Sequence, residues 1–281
     1  MAPTTADIPS PRGGNGPPGV RLYRFDELDS TSLYARRLLT SGEIRPADGP
    51  VLIQAVRQTG GIGRFGRAWA SPVGGLWCTL LAPLPPGATA LLDGLGLRVG
   101  VACLNVVRGV LQRSGKADLV RLKWPNDVLI AGRKVLGVLC ESAPRSDSLW
   151  VMIGVGLNAN FPADSLPPAL RRPPTTLLDV LGREVDLDGI RNDLCAGLLG
   201  ALDPAANAAA LAAARQALYG IGEPAQIRLP GGTELSGTLL GLSDSGVPLL
   251  RADDGDVAAP PGSELVLDLA RRNADLPLHA P

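Results

Sequence analysis

Between residues 51 and 160 the chain gathers its apolar residues into runs too short for helices: "VLIQAV" at 51–56, "GLWCTLLAP" at 75–83, "KVLGVLCES" at 134–142 and "WVMIGVGLNAN" at 150–160. Short apolar runs bounded by turn formers read as buried strands. Such strands need a covering layer, and one segment can supply it. From Leu91 to Gln112 apolar residues dominate, and the polar ones, Arg98, Asn105, Arg108 and Gln112, recur at spacings of seven, three and four. That is one narrow polar stripe on a helix, so this helix is expected to be mostly buried against the sheet.

Other elements follow the same logic. "RLYRFDELD" from Arg21 reads as a strand, and Ser30 or Thr31 can cap a helix carrying Leu33, Tyr34 and Leu38. "LVRLKWPNDVLI" and "KVLGVLCES", joined by Ala131-Gly132-Arg133, read as a hairpin. Pro162 to Pro174 reads as an irregular crossing, and Ile190 to about Tyr219 as helix. After Gly222 the texture changes to short alternating strands separated by "PGG", "SDSG" and "DDGD", the mark of a small antiparallel barrel. The expected fold class is therefore α+β: a disordered Pro/Gly leader at 1–20, a mixed α/β domain at 21–220, a β domain at 222–270 and a tail at 271–281.

Charge weakens one function class, nucleic-acid binding. Lys plus Arg and Asp plus Glu both total 27, so no overall basic field draws in a polyanion. Cys78, Cys103, Cys140 and Cys195 lie far apart without a C-x-x-C pair, and are read as reduced structural thiols; no metal-ligand set can be assigned. The amino-terminal segment lacks a signal-peptide pattern, and no run reaches the roughly 20 apolar residues of a membrane span, so a cytoplasmic location with no membrane partner is expected. The one histidine, His279, sits in the tail, which removes a histidine base and a Ser-His-Asp triad from consideration.

The residues that could carry chemistry fall in a few places. "QTGGIGRFGRAW", Gln58 to Trp69, holds glycines at 60, 61, 63 and 66 that let backbone N–H groups approach an anion, with Arg64 and Arg67 as planar cationic donors. It matches neither a P-loop nor a dinucleotide fingerprint, and a solvated surface turn competes with the ligand-binding reading. "KWPND", Lys123 to Asp127, puts a lysine, an aromatic ring and two polar groups at a strand end; a Pro-fixed turn with a solvated Lys-Asp pair is the alternative. Lys134 begins the next strand and could reach the same mouth. Asn158 and Asn160 close a strand on one face and could bind a ligand or satisfy backbone groups. Ser30, Thr31 and Ser32 are a helix cap that could also bind a carbonyl or an anion.

Taken in order, "DSTS", "RQTGGIGRFGRAWASPVGGLW", "LKWPNDV", "RKVLGVLCE" and "IGVGLNAN" resemble the bacterial biotin protein ligases, the biotin–[acetyl-CoA-carboxylase] ligase family. The resemblance covers about residues 30 to 160. It implies a mixed-sheet catalytic domain of the biotin/lipoate ligase type and a small carboxy-terminal SH3-like β-barrel. It also implies ATP and biotin as substrates with Mg2+, a biotin carboxyl carrier protein as acceptor, and a monomer or homodimer. By position, Ser30, Thr31, Ser32 and Gln58 would contact the ureido end of biotin, with Ile62 and Gly63 adding backbone contacts. Arg64, Arg67 and Lys134 would be catalytic, facing the biotin carboxylate and the α-phosphate. Trp69 would cover the adenine, Asn158 would lie beside the nucleotide, and Lys123, Asn126 and Asp127 would support it.

Two positions depart from the family. Ile62 stands where the family usually has arginine, and Ser32 where it has asparagine; the first loses a charge and the second loses reach. Some relatives carry an amino-terminal helix-turn-helix, and the Pro/Gly leader ahead of Arg21 leaves no room for one, so no sequence-specific DNA binding is expected. A lipoate ligase or octanoyltransferase is the nearest rival, but the latter needs a nucleophilic cysteine, for which Cys140 in its apolar run is a poor candidate. A nucleic-acid-binding module is the rival from another class, disfavoured by zero net charge and sparse aromatics.

Overall fold

The computed structural model describes residues 12–13, 16–85, 87–145, 148–168, 173–260 and 262–267. The tail with His279 and most of the expected leader lie outside the described residues. In chain order the elements are β1 (Arg12–Gly13), β2 (Arg21–Leu28), α1 (Thr31–Ser41), β3 (Val51–Gln58), β4 (Leu76–Leu84), α2 (Leu95–Leu111), β5 (Val120–Lys123), β6 (Asp127–Ile130), β7 (Arg133–Pro144), β8 (Leu149–Leu157), α3 (Leu177–Leu181), α4 (Leu187–Gly200), α5 (Asn207–Ala217), β9 (Pro224–Arg228), β10 (Glu234–Leu242), β11 (Pro248–Ala252), β12 (Gly255–Ala258) and β13 (Glu264–Leu267). By compactness the chain falls into two units, one within 1–89 and 136–196, the other within 90–135 and 197–281.

The first unit is built on a mixed sheet with the order β1-β2-β3-β4-β8-β7. Only β2 and β3 run parallel, as a right-handed β-α-β crossover through α1 allows; the other pairs are antiparallel. Part of the expected leader is ordered. Arg12 and Gly13 pair with Arg24 and Tyr23, so backbone groups on the outer edge of β2 find partners, and Val20 donates to Pro17 O at 3.0 Å.

α1 starts at Ser30, whose extended backbone (φ −160°) and side chain cap Leu33 N, and ends at Gly42 in the left-handed region (φ 75°). Its inner face buries Tyr34, Leu38 and Leu39 against Phe25, Ile53 and Trp150. The Tyr34 and Phe25 rings meet edge-on with centroids 4.7 Å apart. Burying a side chain of this size contributes roughly 1.5–3 kcal/mol, so the helix is held by packing more than by its own propensity.

The second unit contains α2, the β5–β6 hairpin, α5 and a five-stranded antiparallel sheet in the order β12-β11-β10-β9-β13. That sheet opens at Pro224, where the sequence changes texture. Two expectations are corrected here. "LVRLKWPNDVLI", read as one strand-like run, is two short strands, β5 and β6, paired around a Trp124–Pro125 cis peptide; Lys123 stands at the end of β5, and the rest of "KWPND" turns back into β6. The helical stretch expected from Ile190 to Tyr219 is α4 and α5, separated at Pro204, whose ring removes a helical donor while Asp203 caps the new start.

Arg98, on the polar stripe of α2, is itself buried, with only 2% of it exposed. Its guanidinium donates to Ala201 O, Asp93 O, Leu91 O and Asn207 Oδ1, four acceptors that tie α2 to the segment ahead of it and to α5. A buried cation can stand there because its donors are satisfied by carbonyl and amide oxygens. Further along α2, Gly100 has no room for a side chain: a Cβ would lie 2.6 Å from Pro125 O. The helix thus presses directly on the "KWPND" turn.

Candidate functional site

The polar residues singled out from the sequence occupy two groups, one in each unit. In the first unit the segment "DSTS" and the loop from Gln58 to Ser71 are joined by hydrogen bonds. Gln58 Oε1 accepts from Thr31 N at 2.8 Å and from Thr31 Oγ1 at 3.1 Å, and Gln58 Nε2 donates to Ser71 Oγ at 2.8 Å. Ser71 Oγ in turn donates to Trp69 O at 3.1 Å. Thr79, on β4, donates to Thr31 Oγ1 at 2.9 Å and lies 3.1 Å from Ser32 Oγ. Ser30, Thr31, Ser32, Ser71 and Thr79 are all buried.

The turn that presents these hydroxyls is braced from outside. Arg37 holds Asp29 in a two-pronged ion pair at 2.7 and 2.8 Å, and Asp29 Oδ1 accepts from Ser30 N at 2.7 Å. Arg37 keeps the Asp29 carboxyl below its ordinary pKa. Gly60 N donates to Asp29 O at 2.8 Å, which ties the start of the loop to the same turn.

The loop itself is a small hydrogen-bonded hairpin. Trp69 N donates to Gly61 O at 2.8 Å and Gly63 N to Arg67 O at 2.7 Å, with Ile62 bridged to Ala68. Its glycines do different things. Gly61 is required for close approach, since a Cβ there would meet Trp69 O at 2.4 Å, while Gly66 takes a left-handed turn (φ 70°) beside Phe65 (φ 58°). Phe65 is exposed at the tip, with the Arg64 and Arg67 guanidiniums each 5.0 Å from its ring centroid. Such contacts contribute roughly 0.5–1 kcal/mol at exposed sites and gather two permanent cations at one place.

Trp69, read from the sequence as a cover for a ligand, lies against β8. A Cβ on Gly156 would be 2.3 Å from Trp69 Nε1, and the ring also packs beside the Trp77, Phe161 and Leu166 cluster. Gly154, two residues earlier on the same face, leaves room for Ser32: a Cβ there would be 2.7 Å from Ser32 Oγ. Two glycines on one face of β8 thus make a flat floor below the ring and the hydroxyls.

Past β8 the two asparagines part. Asn158 Nδ2 donates to Thr175 O at 3.1 Å, whereas Asn160 exchanges two 2.9 Å hydrogen bonds with the Val185 backbone. Both asparagines therefore satisfy backbone groups, Asn158 one acceptor and Asn160 a donor and an acceptor. Beside Asn158, Thr175 is 1% exposed, and its hydroxyl has no hydrogen-bond partner among the described residues.

In the second unit Lys123 and Asn126 are buried in the "KWPND" turn, and Lys134 Nζ meets Asp127 Oδ1 at 2.8 Å. Trp124 Nε1 donates to Gly246 O at 2.9 Å, so this ring is a fastening of the turn. The pairing holds the Lys134 ammonium against the Asp127 carboxylate.

Nucleophilic thiol chemistry is disfavoured here. Burial pushes the Cys78 and Cys140 thiols up to about 12 and Cys195 up to about 11, with Arg64 opposing the shift at Cys140 only in part. A thiol that holds its proton at neutral pH is a weak nucleophile. The arrangement suits a reaction among anions held by cations and hydroxyls.

Sequence reasoning missed Thr79, Ser71, Thr175 and the two floor glycines. One signal existed: Thr79 is the hydroxyl inside the apolar run "GLWCTLLAP". A polar residue in a core strand needs a partner, although sequence alone does not say which.

Comparison with known proteins followed the same residues. The model of the "Biotin/lipoate A/B protein ligase family" matches residues 28–158. The chain is 32% identical over 243 residues to the biotin--[acetyl-CoA-carboxylase] ligase of Paracoccus denitrificans, covering 83% of this chain and 95% of that one. It is 33% identical over 177 residues to the bifunctional ligase/repressor BirA of Bacillus subtilis, covering 61% of this chain, and spans about half of that relative's length (50%). Among solved structures, the biotin protein ligase from Aquifex aeolicus in complex with biotin and ATP superposes with a TM-score of 0.71 at 26% identity, over 88% of this chain and 98% of that one.

Proposed function

The chain belongs to the biotin/lipoate A/B protein ligase family, and from that premise we propose that it is an ATP-dependent biotin protein ligase acting on a biotin carboxyl carrier protein. The observation that carries the reading is the joined polar network of Thr31, Gln58 and Ser71, which runs straight into a loop bearing two arginines. It offers hydrogen-bonding groups for a neutral ureido ring at one end and positive charge for a carboxylate and a phosphate at the other.

In the first step the biotin carboxylate attacks the α-phosphorus of ATP, forming biotinyl-5'-AMP and releasing pyrophosphate. Bringing anions together is the main barrier, and fixed cations and backbone donors lower it. Arg64, Arg67 and Lys134 are assigned to that charge; Lys134, oriented by Asp127 at 2.8 Å, presents a compact ammonium. Trp69 covers the adenine, Asn158 lies beside the nucleotide, and Lys123 and Asn126 support it through the turn they build. In the second step a carrier lysine attacks the mixed anhydride, an amide forms and AMP leaves. No protein nucleophile is needed.

Among the described residues no three His, Cys, Asp or Glu side chains gather to cage a metal. Mg2+ commonly binds through substrate phosphates with one or two carboxylates, so the proposal has it arrive on ATP, where it would neutralise charge on the pyrophosphate. We assign the five terminal strands to an SH3-like domain. The proposal places the enzyme in the cytoplasm and includes no sequence-specific DNA binding. The segment Leu95–Ser114 has the length and apolarity of a membrane span, but half of it is buried inside the protein, as suits a core helix.

ATP–pyrophosphate exchange tests the reading. Exchange should require biotin and fail with lipoate or with no acid; silence with biotin refutes it. Lys134→Ala should lower exchange by about a hundredfold or more, the scale of losing one transition-state charge partner, with the fold retained by circular dichroism.

A further inference from the structure

The hydroxyls and the amide of the first unit allow only one arrangement of protons. Thr31 N can only donate, so the Gln58 atom facing it is Oε1, and Thr31 Oγ1, which also meets Oε1, must donate to it. Gln58 Nε2 then faces Ser71 Oγ, whose own proton goes to Trp69 O, a group that can only accept. With its proton spent on Gln58, Thr31 Oγ1 accepts from Thr79 at 2.9 Å. Thr79 has one proton and has used it, so the 3.1 Å contact with Ser32 is a donation from Ser32. The chain of donation runs one way: Ser32 to Thr79 to Thr31 to Gln58, and through the amide to Ser71 and Trp69 O.

Thr79 is the link that sets this direction, and it is fully buried at 0% exposure, so it cannot itself be a ligand contact. We propose that Thr79 is a positioning residue that fixes the polarity of the ureido pocket and connects that pocket to the anchor of the arginine loop. The proposal rests on the biotin ligase reading for the identity of the ligand. With the protons fixed, Ser32 keeps two lone pairs, Thr31 keeps one, and Gln58 Nε2 keeps one proton. A cyclic urea presents two N–H donors and one carbonyl acceptor, which that set can satisfy in full with one lone pair of Ser32 or Thr31 left over. Ser32 is held in place by the same link: Thr79 on one side and the bare Cα of Gly154 on the other.

The variants that test this are Thr79→Val, which keeps the β-branched shape and removes the hydroxyl, and Thr79→Ser, which keeps the hydroxyl and removes the methyl. In Thr79→Val the KM for biotin should rise about tenfold, the scale of one mispaired buried hydrogen bond, while the KM for ATP stays within about twofold. Thr79→Ser should bind biotin within about threefold of the parent. Trypsin cleavage after Arg64 and Arg67 in the ligand-free protein should be faster in Thr79→Val than in Thr79→Ser, because the break in the chain loosens Gln58 and the Ser71 anchor. Unchanged biotin KM in Thr79→Val, or equal impairment in both variants, overturns the proposal. If the parent enzyme shows no exchange with biotin, the ligase reading fails instead; the proteolysis arm then still decides the connection, which falls if Thr79→Val and Thr79→Ser are cleaved at the same rate.

Discussion

Gly156→Ala asks whether the Trp69 ring rests on β8. The added Cβ would sit 2.3 Å from Trp69 Nε1, 2.6 Å from Cε2 and 3.0 Å from Cζ2. Carbon contacts settle at about 3.5–4.0 Å, so something must move by about 1 Å. β8 is paired on both sides, with β4 and with β7, which leaves the ring as the mobile partner. The ring is itself packed beside Trp77, Phe161 and Leu166, and overpacking of that kind costs about 1–3 kcal/mol. At about 2–4 °C per kcal/mol for a domain of roughly 150–250 residues, the melting temperature should fall by about 2–12 °C.

The decisive measurement is a double-mutant cycle followed by thermal unfolding. In a Trp69→Ala background the clash has no partner, so Gly156→Ala should cost close to nothing and the coupling should equal nearly the whole single-mutant effect. An equal loss in both backgrounds would show that Gly156 is strained for a reason other than the ring, and the floor described above would be wrong. In the parent background the same substitution should raise the KM for ATP more than the KM for biotin if Trp69 has the adenine-covering role proposed for it.

Three further outcomes are expected. Thr175→Val should leave the melting temperature unchanged or raise it, because a buried hydroxyl without a partner costs about 1–3 kcal/mol and a methyl of similar shape does not; a lower melting temperature would mean that the hydroxyl has a partner. Asp29 has its pKa lowered in the folded protein, chiefly by Arg37, so the pair stabilises the fold above the unfolded-state pKa of about 3.9 and that contribution is lost as the pH falls through the lower folded value. The urea midpoint of Asp29→Asn should accordingly vary less with pH below about 4 than that of the parent, and parallel curves would refute the assignment. Cys78 and Cys140 at about 12 and Cys195 at about 11 should resist alkylation by iodoacetamide at pH 8 in the native protein and react after unfolding; rapid native labelling of Cys140 would reopen the thiol chemistry set aside above.

Local order was legible in the sequence because it is written in local periodicity. The apolar runs at 51–56, 75–83 and 150–160 became β3, β4 and β8, Ser30 became the cap of α1, and the change of texture after Gly222 marks the second sheet. Spacing failed where a turn or a long-range partner outweighed it. A Pro-fixed turn at "KWPND" was open to local reading, but nothing nearby in the chain says that α2 presses on Pro125, or that Arg98 on a polar stripe finds Ala201 O and Asn207 Oδ1 more than a hundred residues away.

The site divides along the same line. The sequence by itself determined the chemical inventory: hydroxyls at 30–32, an amide at 58, arginines at 64 and 67, a lysine at 134 and glycines where backbone must come close. Which of these act together was decided by β4 and β8 lying beside each other in the sheet, which brings Thr79 under Ser32 and Thr31, 47 and 48 residues away, and lays the Gly154 and Gly156 floor beneath them. A residue type fixes what bonds a side chain can make; only the register of distant strands fixes which partner is there to receive them.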